Sequence, residues 1–219
     1  EVLKPTRYFR LMAAANDNIG SCYAYWGKFT QAIRYYRQAL PLYRKSKSSP
    51  DVIRTRNNMA SMNLKLNRVK TAKRYLQQSL VELEKHPNEK LYTDTIANLA
   101  SLYNEEGSYP EAIEYGLKAL TIARKNTNLF DIPTILQTLC FSYLKTDETQ
   151  QAIKYGKQSV ALCEQMNLVA KLAGNLEILE ICYAKLKDYE NAWKVNKKLL
   201  ELKDKIAVEN DQKLSLIHI

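Results

Sequence analysis

Glycine and proline are scarce, six of each in 219 residues, too few for the turn-dense chain of an all-β protein. Histidine is scarcer. His86 and His218 are the only two and stand far apart, which leaves no HExxH pair, and no Gly-rich phosphate loop or GxSxG elbow accompanies them. The four cysteines, Cys22, Cys140, Cys163 and Cys182, form no CxxC pair. Neither zinc nor a small disulfide framework is therefore expected, and free buried thiols are. Carboxylate neighbours such as Glu105 and Glu106 fall at a turn, where solvation is their expected role. No catalytic, metal or cofactor site is expected. Nor is any stretch long and apolar enough to span a membrane.

What is present points to helix. Hydrophobic residues make up 46% of the chain, ample for a core, and Lys, Leu, Ala, Gln and Glu abound. Charge is unevenly placed. Residues 1–92 carry 18 Lys/Arg against 6 Asp/Glu, a formal +12, while residues 93–219 carry 15 against 17, a formal −2. A basic half attracts acidic proteins, nucleic acids or anionic membranes. Without a dense basic run interleaved with aromatics, a solvated helical surface is favoured over a nucleic-acid face. The chain opens at Glu1 without Met and stops at SLIHI, so it reads as a piece of a longer protein. Its compartment stays open: cytoplasmic, or extracytoplasmic after removal of a leader.

The chain repeats itself. Ala32, Ala72, Ala112, Ala152 and Ala192 lie 40 residues apart. Tyr35, Tyr75, Tyr115, Tyr155 and Val195 follow them in step, as do Leu40, Leu80, Leu120, Val160 and Leu200. Ile19, Met59, Leu99, Leu139 and Leu179 precede them at a constant distance. A fixed period without insertion signals a solenoid. Each copy reads as two helices. Gly107 is placed to end one of them, and Ser108 or Pro110 to begin the next. Gly116 and Gly156 fall inside second helices, where Gly costs about 1 kcal/mol relative to Ala; close backbone packing would compensate.

The segment NLASLYNEEGSYPEAIEYGLKAL resembles the tetratricopeptide repeat. The copy with Ile19, Gly20, Tyr23, Ala32 and Tyr36 fits that pattern best, and the one with Met59, Ala60, Asn63, Ala72 and Leu76 fits it less well. The resemblance covers roughly residues 6–205. It departs in its period, 40 residues against about 34, which implies longer helices. That long form resembles the repeats of kinesin light chains, of Gα-regulator polarity proteins and of bacterial peptide-pheromone receptors. The implied fold is all-α, a right-handed α-solenoid of five helix-turn-helix repeats ending in a capping or exit helix. The repeats fall at about 13–52, 53–92, 93–132, 133–172 and 173–212, within one domain over 1–219.

Asn18, Asn58 and Asn98 share one column, and Ser21, Ser61 and Ser101 another three residues on, so each pair lies on one face of a first helix. In the last two copies these columns read Thr138 and Phe141, then Ile178 and Ile181. An Asn amide both donates and accepts, so a row of them could hold a peptide backbone whatever its side chains. In the families resembled, such an asparagine ladder on the concave surface grips peptides, which implies the same here. The residue-level alternative is local capping or bonding to the neighbouring repeat. A two-carboxylate clamp for chaperone tails is excluded, since Asp17, Ser21, Asn58, Asp94 and Asn98 occupy its positions and the two acids oppose a carboxylate.

The expected function is a non-catalytic scaffold holding a protein or peptide segment in its concave groove. Asn18, Ser21, Asn58, Ser61, Asn98 and Ser101 would form the polar stretch, and Phe141, Ile178 and Ile181 the apolar one. The tail LLELKDKIAVENDQKLS resembles the exit helix of Bacteroidetes-type repeat signalling proteins. That implies an alternative role as the sensory input domain of a larger bacterial regulator, a kinase or transcription factor, dimerising through this helix in the full-length protein. An ordinary capping helix is the plainer reading of the same residues.

Overall fold

The computed structural model describes residues 5–126 and 131–217, with the side chains of the last helix described to residue 208. Among the described residues there are ten helices and no strand. They are α1 (Pro5–Tyr25), α2 (Phe29–Lys45), α3 (Ser49–Lys65), α4 (Val69–Lys85), α5 (Glu89–Glu106), α6 (Tyr109–Lys125), α7 (Ile132–Lys145), α8 (Thr149–Gln165), α9 (Val169–Lys185) and α10 (Tyr189–Ile217). The 40-residue period has a direct cause: α3 and α4 are 17 residues each, and three-residue links separate them from each other and from α5.

Seven of the links among the described residues share one geometry. Gly27, Lys47, Asn67, Gly107, Asp147, Asn167 and Lys187 all lie in the left-handed region, with φ between 53° and 78°. After each, the next backbone N–H donates to the carbonyl five residues back, as in Ser48 to Tyr43 (3.1 Å), Arg68 to Asn63 (2.8 Å) and Ser108 to Tyr103 (2.9 Å). This Schellman closure satisfies carbonyls the helix end would orphan. Gly107 ends α5 as its sequence context predicts, and the Ser108 carbonyl then accepts from Ala112 N–H at the start of α6. The link at Pro87 differs, because the proline ring confines φ to negative values. There α4 stops at His86, and the Asn88 side chain caps α5 by accepting from Leu91 N–H at 2.9 Å.

The chain falls into two compact units, Glu1–Ile122 and Ala123–Ile219. In the first, α1 packs on α2 and α3 on α4, α2 and α4 each lean on the following first helix, and α3 lies beside α5. Ala13, Ala39, Tyr43 and Val52 form one buried cluster, and Ile53, Leu83 and Leu91 another. Within repeats, Tyr23 stacks on Tyr35 and Tyr103 on Tyr115, each at 5.3 Å. In the second unit α7 packs on α8, α8 on α9, α9 on α10, and α7 lies beside α9. Cys163, Leu172, Leu176 and Leu199 form one buried cluster there.

The alanine column from Ala32 to Ala152 and the column from Met59 to Leu179 are core, whereas the tyrosine and Leu40-to-Val160 columns are largely half-buried, and Ile19, Cys22 and Leu200 are exposed against expectation. Ala32, Ala72, Ala112 and Ala152 are fully buried, as are or nearly are Met59, Leu99, Leu139 and Leu179. Ile19, in the same column as the last four, is 42% exposed. Cys22 is exposed too, whereas Cys140, Cys163 and Cys182 are the expected buried thiols. These columns cover the preceding repeat: Leu179 of α9 lies against Gly156 of α8. Among the described residues no helix precedes α1, so its members of those columns face solvent. All four cysteines are free.

Candidate functional site

Consecutive asparagines on α3 have different fates. The Asn57 amide is buried and donates to Thr95 Oγ1 of α5 at 2.9 Å. One repeat earlier, Thr55 of α3 donates to Asp17 of α1 at 2.9 Å, and both are buried. Asp17 and Asn57 therefore join repeat to repeat. Adjacent helical residues point about 100° apart, which turns Asn58 away from that junction. Asn58 is half-buried and makes no hydrogen bond or ion pair among the described residues; Asn98 on α5 is alike, and Asn18 on α1 is exposed. The sequence shows the row at Asn18, Asn58 and Asn98 but not that Asp17 and Asn57, one residue before, carry the packing.

The serines are less free. Ser21 donates to the Asp17 carbonyl at 3.0 Å and lies 3.2 Å from the Tyr36 hydroxyl. Ser101 donates to the Ala97 carbonyl at 3.3 Å. Ser61, half-buried, has no such bond. A hydroxyl turned onto its own helix has less left for a ligand than an unengaged amide.

At the α1 end of this face lies a recess of about 410 Å³, lined by Arg7, Arg10, Ala14, Asn18, Asp51 and Arg54 among others. Its charges are ordered. Arg54 pairs with Asp51 at 3.1 Å and Asp17 at 3.4 Å, Arg10 pairs with Asp51 at 2.9 Å, and Ser48 donates to Asp51 at 2.6 Å. Burial raises the Asp17 carboxyl above the ordinary aspartate range, against the opposing pull of Arg54 and Thr55. The sequence does not announce this cluster; there Asp17 reads only as an acid opposing a carboxylate. The sequence signal was the basic residue at 54, which sits on α3 one position before Thr55 and so falls beside Asp17.

The apolar residues lie in the second unit. Phe141 on α7 is half-buried with Lys145 Nζ 5.2 Å from its ring centroid. On α9 Ile178 is half-buried and Ile181 is 56% exposed. Thr138, in the asparagine column, is 9% exposed and donates to the Thr134 carbonyl. The structure thus brings the asparagines and serines together on α1, α3 and α5, and places the apolar trio on α7 and α9. Among the described residues no group of three or more His, Cys, Asp or Glu side chains could hold a metal ion, and no helix is long and apolar enough to cross a membrane.

A tetratricopeptide-repeat profile matches residues 11–80 and 92–165, and the chain belongs to that family, whose repeats build protein-interaction scaffolds. Solved structures share the fold. A repeat protein named for kinesin light chain from Podosopora anserina is 16% identical with a TM-score of 0.65, covering 94% of this chain and 99% of that one. A Rap protein in complex with competence and sporulation factor is 16% identical with a TM-score of 0.79, covering 88% of this chain and 54% of that one. A signal-transduction ATPase with a tetratricopeptide repeat sensor, from Pyrococcus horikoshii, is 19% identical with a TM-score of 0.71, covering 92% of this chain and 30% of that one. Among curated proteins, none matches this chain by sequence.

Proposed function

We propose that the chain is a non-catalytic scaffold whose first-helix face holds an extended peptide or protein segment, the five repeats acting as one binding domain. The observation that carries this is the contrast on α3: Asn57 is consumed by the repeat junction, and Asn58 beside it keeps its amide unengaged. An amide that makes no hydrogen bond yet recurs as Asn98 on the adjoining helix is suited to a backbone N–H and C=O. The recess beside Asn18 would take a ligand side chain at the α1 end, and Phe141, Ile178 and Ile181 would contact apolar ones. That the neighbouring Rap protein is seen with a bound factor is consistent with this reading.

The test is a peptide-library screen on the wild-type domain, followed by titration of the best binder. Asn58→Ala should weaken it at least tenfold, since each lost buried bond costs about 1–3 kcal/mol, and should leave thermal stability unchanged. Equal binding by Asn58→Ala would remove the ladder. Unfolding would show Asn58 to be a packing residue after all.

A second reading has its own observation. At 29 residues α10 far outruns the 17-residue helices, and Trp193, Leu200 and Val208 along it are exposed. A helix continuing past the repeats suits an input domain that passes a binding signal onward. The Pyrococcus horikoshii neighbour carries its repeats as a sensor within a larger protein. The full-length gene sequence decides, by showing or lacking an output domain after the helix.

A further inference from the structure

Arg34 and Arg37 stand three residues apart on α2, a spacing that puts both on one side of the helix. Arg68 is the residue that caps the start of α4. Folding gathers the three around a recess of about 370 Å³ completed by Thr30, Ile33 and Gln38. Ile33 is buried, and the other five are exposed. No carboxylate lines the recess, and none of the three guanidinium groups makes an ion pair or hydrogen bond among the described residues. Three other arginines of the same unit are matched, Arg10 and Arg54 with Asp51 and Arg56 with Glu82, whereas Arg7, Arg44 and Arg74 make no ion pair among the described residues but do not line this recess. Three unmatched cations around one recess repel each other, and an anion seated among them removes that cost.

The chemistry selects the anion. A carboxylate brings one charge and two oxygens. A phosphorylated side chain brings about −1.5 to −2 and three acceptor oxygens, closer to what three forked guanidinium groups supply. The Thr30 hydroxyl and Gln38 amide add neutral donors. A membrane surface would call for a flat charged face with apolar residues to insert, and a single-stranded nucleic acid for exposed aromatics to stack on. The lining has neither. We propose that this recess binds a phosphorylated side chain of a protein segment. It is built by a second helix and the link before α4, so it is separate from the asparagine face of α1, α3 and α5.

The probes are inorganic phosphate and a short phosphoserine peptide, with the same peptide carrying Ser or Glu as controls. Arginine Nε–H resonances and fluorescence anisotropy give the readouts. Saturable shifts at Arg34, Arg37 and Arg68 are expected with phosphate and phosphopeptide, no binding of the Ser peptide, and roughly tenfold weaker binding of the Glu peptide. Arg37→Ala and Arg68→Ala should each weaken the phosphopeptide roughly tenfold with unchanged thermal melts. Arg37→Gln serves if either variant unfolds. Asn58→Ala should bind the phosphopeptide like the wild type, which separates this site from the groove. Unsaturable shifts, equal shifts at Arg44 or Arg74 outside the recess, or full binding by the arginine variants would overturn the proposal as an adventitious ion only. So would arginine-dependent binding of oligothymidylate or phosphatidylserine vesicles in the absence of phosphopeptide binding.

Discussion

Replacing Gly156 by alanine sets two effects of opposite sign against each other. Gly156 lies inside α8, where helix propensity alone makes Ala more favourable by about 1 kcal/mol. A Cβ built there would stand 2.6 Å from Leu179 Cδ2 and 3.0 Å from both Leu179 Cγ and Cys140 Sγ. Leu179 is 3% exposed and Cys140 fully buried, so neither can swing into solvent. Overpacking of that kind costs about 1–3 kcal/mol, so the net is a loss of up to about 2 kcal/mol. At roughly 2–4 °C per kcal/mol for a chain of this size, calorimetry should find a Tm several degrees lower. The partner test is Leu179→Ala, which alone costs about 2–5 kcal/mol by opening a cavity. Combined, the two should cost less than their sum by about 1 kcal/mol or more, because the new methyl fills part of that cavity. A raised Tm for Gly156→Ala would show that propensity decides and that α8 and α9 are not in close contact. Strict additivity would show that the two side chains do not meet.

Gly107→Ala tests the turn geometry without packing, since nothing lies within 4 Å of a Cβ at that site; the left-handed φ of 78° alone should cost about 1–2 kcal/mol in a denaturant melt, and an unchanged midpoint would refute it. In native protein one thiol, Cys22, should react rapidly with a disulfide reagent, and the other three only on unfolding, because they are buried. The Cys140 thiol, hydrogen-bonded with Cys182 and shut from solvent, is pushed far up as well; two or more fast thiols would contradict this. Asp17 is raised in the folded state mainly by burial, with Arg54, Thr55 and Asp51 facing it. The folded state therefore holds that proton more tightly than the unfolded chain, and stability from this group rises as pH falls through the folded value towards the ordinary aspartate range. Compared with Asp17→Asn, wild type should gain relative stability between neutral and mildly acidic pH in urea melts; a relative loss would reverse the sign of the argument.

Much of the fold could be read because its signals repeat. The alanine column, the apolar column from Met59 to Leu179 and the glycine stop at residue 107 each report a contact that depends on helical spacing alone. What could not be read depends on a neighbour. Ile19 and Cys22 match buried columns, yet burial needs a preceding repeat. Asn57 and Asn58 are chemically identical, and only the position of Thr95 on α5 assigns one to the junction. Lys47 and Lys187 adopt left-handed backbone, a conformation that lysine does not advertise. The Arg34, Arg37 and Arg68 recess joins α2 to a link beyond α3, a meeting that no local pattern encodes.

The recurrence of left-handed links at residues 27, 47 and 67, and again at 147, 167 and 187, has a consequence for how such a chain can change in length. Each helix is read from the link that ends the one before. Adding or deleting a single residue within a helix would rotate everything after it by about 100° and carry its buried stripe out to solvent. Only whole helix pairs can be gained or lost without moving those stripes. The gene is thus expected to vary by entire repeats, and point insertions to survive where Pro87 already breaks the pattern and a side-chain cap, not a backbone turn, resets the next helix.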